Sequence, residues 1–247
     1  MGIATREAYG KALAAVGGKN NKVIVLDADL SKSTKTEVFG KAYPERFFNV
    51  GIAEQNMMGT AAGLAAAGKI PFVSTFAVFA TGRAFEQIRN SICYPKLNVK
   101  IAATHAGLTV GEDGASHQSI EDISLMRTLP NMTVIVPADG VETEKAIEFA
   151  AEYKGPCYIR LGRSNVPELF GSDYKFEIGK AVTVTEGNDV TIIATGIMVA
   201  EAKTAAEELS KEGISARVLN IHTIKPIDSE AIIKAAEETG CIVTCEE

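Results

Sequence analysis

The chain has 247 residues, 46% hydrophobic and 23% charged, with a net charge of −6. That length holds one large or two smaller domains with a substantial core, and the acidic balance argues against a nucleic-acid surface while leaving room for an anionic small substrate held by a few arginines. Neither a leader-like start nor an apolar run of membrane length is read, so a cytoplasmic protein without a membrane partner is expected.

Helical and strand patterns alternate along the chain. Thr5 is placed to cap a helix through ATREAYGKALAAVGGK, with its end at Gly17-Gly18. KVIVLDADL is a continuous apolar run, the pattern of a strand buried on both faces. A short helix near Thr36–Tyr43 leads to the strand FFNVG and then to an Ala/Gly-rich helix that begins at Glu54. IPFVSTF reads as a strand, TGRAFEQIRNSI as a helix and NVKIAAT as a strand ending at His105. The Gly-rich loop HAGLTVGEDGASHQS then runs to a helix starting near Ile120. MTVIVPAD, VETEKAIEFAAEY and GPCYIRLGR form one more strand–helix–strand unit. Such βα alternation predicts a doubly wound, mostly parallel α/β sheet.

Residues 164–180 break this rhythm with proline, glycine and charge, and read as a connector. A second alternation follows: NDVTIIATG, MVAEAKTAAEELSKEG, ISARVLNIHTIKP, DSEAIIKAAEETG and CIVTCEE. The expected division is a first domain at 1–165, a linker at 166–175 and a second α/β domain at 176–247, whose sheet of three or four strands looks unfinished. The four cysteines, Cys93, Cys157, Cys241 and Cys245, lie in apolar stretches without CxxC spacing and are expected as buried free thiols. Three histidines without a Cys/His cluster weigh against a zinc site built by the protein.

Glu54 stands out. Ile52, Ala53, Met57 and Met58 surround it and no neighbour in sequence can ionise, so a poorly solvated, proton-sharing carboxyl is expected. From spacing alone the better reading is a first-turn glutamate favoured by the helix dipole.

Several ordered motifs together resemble one family. ATREAYGKAL, DADLSKST, FFNVGIAEQNM, STFAVFATGRAFEQIRN, THAGLTVGEDGASHQSIEDISLMR, PNMTVIVPADGVETEKA and IRLGR are similar, in order and spacing, to the pyrimidine-binding (Pyr) domain of transketolase and the start of its C-terminal domain. The GDG…NN motif that holds the cofactor diphosphate and metal in this family is missing, so the chain resembles the second subunit of a split transketolase.

The resemblance implies thiamine diphosphate as cofactor, with Mg2+ or Ca2+ held by the partner, an N-terminal transketolase subunit. It implies homodimerisation through the Pyr domain, giving a two-plus-two heterotetramer, and a chain that alone binds the cofactor poorly and is inactive. Glu54 matches the glutamate on N1′ of the aminopyrimidine, and Phe76 and Phe79 match the aromatics packed on that ring. His105 and His117 match the histidines that contact donor oxygens, as groups able to exchange protons near neutral pH, and Asp113 matches the aspartate on the sugar C2 hydroxyl. Arg6, Ser33 and Arg163 match the positions that bind the terminal phosphate. Gln55, Arg83 and His222 are assigned structural or interfacial roles. The implied reaction moves a two-carbon ketol unit from a ketose phosphate to an aldose phosphate. A deoxyxylulose-phosphate synthase, a 2-oxoacid dehydrogenase β subunit and a non-catalytic subunit are the other readings.

Overall fold

The computed structural model describes residues 2–247. Its first half runs α1 (Thr5–Lys19), β1 (Val23–Asp27), the short α2 (Ser31–Thr34) and α3 (Glu37–Ala42), β2 (Phe47–Asn49), α4 (Glu54–Ala66) and β3 (Ile70–Ser74). It continues through α5 (Phe85–Gln87), β4 (Lys100–Ala103), α6 (Asp122–Thr128), β5 (Thr133–Ile135), α7 (Gly140–Glu152) and β6 (Cys157–Arg160). Beyond the connector come β7 (Val182–Thr185), β8 (Val190–Ala194), α8 (Met198–Lys211), β9 (Ala216–Asn220), β10 (Thr223–Lys225), α9 (Ser229–Thr239) and β11 (Ile242–Cys245).

The first sheet has seven strands in the order β10-β5-β6-β4-β3-β1-β2. All its pairings are parallel except that of β10 with β5. The continuous apolar runs follow from helices covering both faces. Within β1, Val23 and Val25 turn to the side covered by Tyr9, Leu13 and Val16 of α1, Phe39 of α3 and Ile147 of α7. Ile24 and Leu26 turn to the other side, against Met57, Met58 and Ala61 of α4 and Met126 of α6. Side chains alternate across a strand, so a run apolar at every position can be satisfied only between two helical layers.

The second sheet, β11-β8-β9-β7, is covered by α8 on one face through Val199, Ala202 and Ala206, and by α9 through Ala235 on the other.

Several local expectations are corrected. Thr5 is the first helical residue of α1 rather than its cap: its hydroxyl accepts from Gly162 N (2.8 Å), tying the helix start to the segment after β6. Gly17 lies inside α1, where a Cβ would sit 2.4 Å from the Phe39 ring, so glycine serves close helix packing there and not termination. TGRAFEQIRNSI is not one regular helix, because π-helical turns at Phe79–Arg83 and Ile88–Cys93 flank α5. The helix expected near Ile120 starts at Asp122.

ISARVLNIHTIKP divides between two sheets. Its first part is β9, whereas β10 crosses to the edge of the first sheet, where Lys225 Nζ donates to the carbonyls of Arg127 (2.9 Å) and Leu129 (2.6 Å) at the end of α6. β7, a short strand with one residue exposed, lay unrecognised after the connector. Cys93 and Cys157 are buried free thiols, but Cys241 is exposed and Cys245 only half-buried, because β11 is an edge strand.

Candidate functional site

Parallel strands place their carboxyl ends on one edge of the sheet, where open α/β folds bind ligands. The sequence-predicted residues follow those ends: Ser33 after β1, Glu54 after β2, Phe76 and Phe79 after β3, His105, Asp113 and His117 after β4, and Arg163 after β6. Arg6 joins them from the start of α1.

Pairing between β3 and β4 extends past both strands. Thr104 N donates to Thr75 O (3.0 Å) and Ala77 N to Thr104 O (2.8 Å), with Phe76 bridged to Thr104. This lays the Phe76 and His105 rings together, with centroids 3.8 Å apart and planes inclined by 22°. Phe79, one helical turn on, lies parallel to Phe76 (6.0 Å, 10°). His117 meets both phenylalanines edge-on, at 5.2 Å from Phe79 and 6.1 Å from Phe76. Its Nδ1 lies 2.9 Å from Ser116 Oγ.

His105 is 3% exposed and adopts φ = +56°, a left-handed conformation that costs a non-glycine residue energy and is met at functional sites. Arg6 Nη1 lies 3.2 Å from its Nε2, and Thr104 Oγ1 2.8 Å from its Nδ1. A guanidinium only donates, so Nε2 accepts from Arg6 and the ring proton sits on Nδ1, donating to Thr104. Burial, and secondly the Arg6 charge, lower the pKa of His105 to about 4. The expected near-neutral pKa is corrected: in this arrangement His105 is a neutral imidazole at neutral pH.

Glu54 is 2% exposed at the start of α4, but it is not isolated. Arg83 Nη1 donates to its Oε2 at 3.1 Å, and the Arg83 guanidinium stands 4.6 Å from the Phe79 ring centroid. Arg83 ends the turn Phe79–Arg83, four residues from Phe79, and packing of that turn against α4 brings it to Glu54, 29 residues away in sequence. Gln55 Nε2 donates to Arg83 O (3.2 Å).

Arg6 Nη1 also donates to the main-chain carbonyl of Ser33 (3.0 Å), so Ser33 contributes its backbone to this contact. Asp27, which is not among the sequence-derived candidates, organises that segment. Its buried carboxylate accepts from Leu30 N (2.6 Å), Thr34 Oγ1 (2.7 Å) and Thr36 Oγ1 (2.8 Å). Arg6 and Arg163 line one open cavity of about 380 Å³ with Thr109, Glu112, Ser164 and Asn165. Arg163 Nη1 donates to Val110 O (2.6 Å), and its Nη2 lies 3.7 Å from Glu112. Asp113 is exposed on the same loop, close enough to raise the proton affinity of His105. A larger cleft, about 690 Å³ between α1 and α7, is lined by Lys19, Lys145, Glu148 and Tyr174 and holds none of these residues.

Contacts therefore run without a break from Glu54 through Arg83, Phe79, His117, Phe76 and His105 to Arg6. An anionic group, flat aromatic faces and a cationic cavity stand in one row. Family models match the chain from end to end: transketolase, pyrimidine binding domain over residues 1–168, and transketolase, C-terminal domain over 179–247.

The chain belongs to the transketolase family.

Among its relatives is a protein of Methanocaldococcus jannaschii named as a transketolase C-terminal section, 55% identical, with 94% of this chain and 74% of the relative covered. A 6-deoxy-6-sulfo-D-fructose transketolase subunit of Clostridium sp. (strain MSTE9) is 45% identical, covering 98% of this chain and 75% of the relative. Among solved structures, a split gene transketolase described as an inactive beta4 tetramer matches with a TM-score of 0.93 and 64% identity, over 100% of this chain and 81% of the other. This transketolase-family chain is thus a homologue of a split transketolase subunit, in a family of thiamine-diphosphate transferases. No helix among the described residues is long and apolar enough to cross a membrane.

Proposed function

We propose that the chain is the Pyr-bearing subunit of a cytoplasmic split transketolase that transfers a two-carbon ketol unit between ketose and aldose phosphates. The observation that carries this reading is the unbroken row from the buried Glu54 carboxylate, across the parallel Phe76 and Phe79 rings, to Arg6 beside the cavity it shares with Arg163.

The residues suit the pyrimidine half of thiamine diphosphate: a carboxylate at 2% exposure beside aromatic faces fits a flat heterocycle with one ring nitrogen to pair. The cofactor, when bound, supplies a carbon nucleophile that accepts the ketol unit. Glu54 holds a proton at N1′, and Phe76 and Phe79 seat the ring by offset stacking worth about 1 kcal/mol beyond burial. His105, as a neutral imidazole, and His117 contact the donor oxygens, and Asp113 recognises the C2 hydroxyl. Arg6 and Arg163 hold the phosphate with charge-assisted hydrogen bonds, and Ser33 orients Arg6. The cofactor diphosphate and its Mg2+ or Ca2+ fall to an N-terminal partner subunit, and pairing of two such halves gives a heterotetramer. The tetramer of the solved relative supports self-association of this half.

The test is turnover by the reconstituted complex with xylulose 5-phosphate and ribose 5-phosphate, against pyruvate and glyceraldehyde 3-phosphate. The first pair is expected to react; reaction of the second pair alone would assign the chain to a neighbouring thiamine enzyme. The Clostridium relative brings a second reading, in which the arginine cavity takes a sulfonate in place of a phosphate. A lower KM for the sulfonated ketose than for its phosphate counterpart would favour it.

A further inference from the structure

Glu247, beyond the end of β11, belongs to the second α/β unit yet is built into the loop of the proposed substrate site. Its side chain is 6% exposed. Thr109 N donates to its Oε1 at 2.6 Å. Its Oε2 lies 3.6 Å from Arg160 Nη1, and Arg160 Nη2 donates to its main-chain oxygen at 3.1 Å. Arg160 is fixed in turn by Asp122, whose Oδ2 accepts from Arg160 Nε at 2.9 Å and from Tyr158 Oη at 2.6 Å. The fit is close: a Cβ on Gly107 would stand 2.2 Å from Glu247 Cδ, and Gly107 has φ = +79°, where glycine alone is unstrained.

The turn so held is Leu108–Val110. Its carbonyls anchor the residues that line the arginine cavity. Val110 O accepts from Arg163 Nη1 at 2.6 Å and Thr109 O from Ser164 Oγ at 3.4 Å, and Thr109 itself lines the cavity. A main-chain N–H left without its acceptor at this turn costs free energy and favours rearrangement of the segment that carries both carbonyls.

We propose that Glu247 is a positioning residue for substrate specificity: by accepting from Thr109 N it sets the 108–110 turn and, through Val110 O, the aim of Arg163 at the anionic end of the substrate. The proposal rests on the reading of the Arg6–Arg163 cavity as a phosphate site. It gives the second unit a direct part in substrate selection, which neither pyrimidine seating nor donor activation requires.

The test compares Glu247→Ala, Glu247→Met and Glu247→Gln in the complete chain assembled with its partner subunit. Each is assayed with a phosphorylated ketose and with its unphosphorylated counterpart, and amide exchange is followed over residues 107–110. Glu247→Ala is expected to raise KM for the phosphorylated ketose about fivefold or more, as loss of one charge-assisted hydrogen bond allows. Its kcat and its KM for the unphosphorylated ketose stay within about twofold of wild type, and the Thr109 amide exchanges faster. Glu247→Met fills the same space without an acceptor and serves with the same expectation if the Ala variant does not assemble. Glu247→Gln keeps an acceptor for Thr109 N and is expected to stay near wild type in both assays. Unchanged KM in the Ala and Met variants, or an equal rise for both ketoses, overturns the proposal. A wild-type complex indifferent to the phosphate contradicts the cavity reading and the proposal with it. Faster Thr109 exchange without a change in KM contradicts only the positioning role.

Discussion

The Glu54 carboxylate and the Arg83 guanidinium meet at 3.1 Å, and the same guanidinium stands 4.6 Å from the Phe79 ring centroid. Arg83 thus occupies two of the three groups proposed to seat the aminopyrimidine, Glu54 and Phe79 but not Phe76. It is half exposed, while Glu54 is almost wholly buried, so the pair is asymmetric: removing the cation leaves a buried carboxylate without a charged partner.

Arg83→Met is therefore expected to destabilise the cofactor-free complex by about 1–3 kcal/mol. Thiamine diphosphate should recover that loss, because N1′ supplies a new partner for Glu54. The thermal shift on adding cofactor should be larger in the variant than in wild type. Thermal unfolding with and without cofactor measures this, and equal shifts would show that Arg83 and the pyrimidine do not compete for Glu54.

Arg6 is tied to two groups, His105 Nε2 at 3.2 Å and the Ser33 carbonyl at 3.0 Å, while lining the cavity shared with Arg163. Arg6→Lys keeps a charge but not the planar fork needed for these contacts. KM for the phosphorylated donor is expected to rise about 10- to 100-fold, the scale of one to two charge-assisted hydrogen bonds, with a smaller change for an unphosphorylated donor. Steady-state kinetics on both donors checks this, and equal effects would remove Arg6 from the phosphate site.

Asp122 Oδ2 accepts from both Tyr158 Oη and Arg160 Nε inside the core, and the Arg160 and Asp122 side chains are 6% and 1% exposed. Asp122→Ala leaves a buried guanidinium without that partner and is expected to cost about 3–5 kcal/mol of stability. Denaturant unfolding measures the loss, and a change below 1 kcal/mol would show that Arg160 finds a substitute.

How much of this was legible in the sequence depends on what each feature requires. The two-sided burial of β1 shows as an unbroken apolar run, and the loops after the parallel strands show in the βα rhythm. The Glu54–Arg83 pair was hidden because its members lie 29 residues apart on two elements, and only the packing of the Phe79–Arg83 turn against α4 joins them. β10 was hidden because its partner is β5, in the other sheet, and period-2 patterning carries no information about which sheet a strand joins. The role of Thr5 was hidden because its hydroxyl bonds Gly162, 157 residues away, whereas the Asp27 side chain bonds only to residues three to nine positions on and ends an apolar strand without any pattern that marks a site. The neutral state of His105 required its burial and the Arg6 contact, neither visible from spacing.

His222 is buried, with Nδ1 2.8 Å from Thr223 Oγ1, the Phe176 ring at 4.5 Å and no partner for Nε2 among the described residues. Burial lowers its pKa from 6.5 to about 4. In the unfolded chain it takes up a proton below about pH 6.5, whereas in the folded chain it stays neutral until about pH 4. Its contribution to stability is present above pH 6.5 and is lost as the pH falls through that window. His222→Gln should therefore show a shallower fall in melting temperature between pH 7 and about pH 4.5 than wild type. Parallel slopes would mean that other groups govern the acid response.

Glu54 is proposed as the carboxylate that this chain brings to a site completed by another subunit. The most direct measurement is ketol transfer from xylulose 5-phosphate to ribose 5-phosphate by this chain alone, by its partner alone, by the two together, and by the mixture carrying Glu54→Ala. Turnover is expected only in the wild-type mixture, with the variant reduced about 100- to 10,000-fold, the scale of a lost acid–base group. Turnover by this chain alone, or a Glu54→Ala mixture as active as wild type, would contradict it.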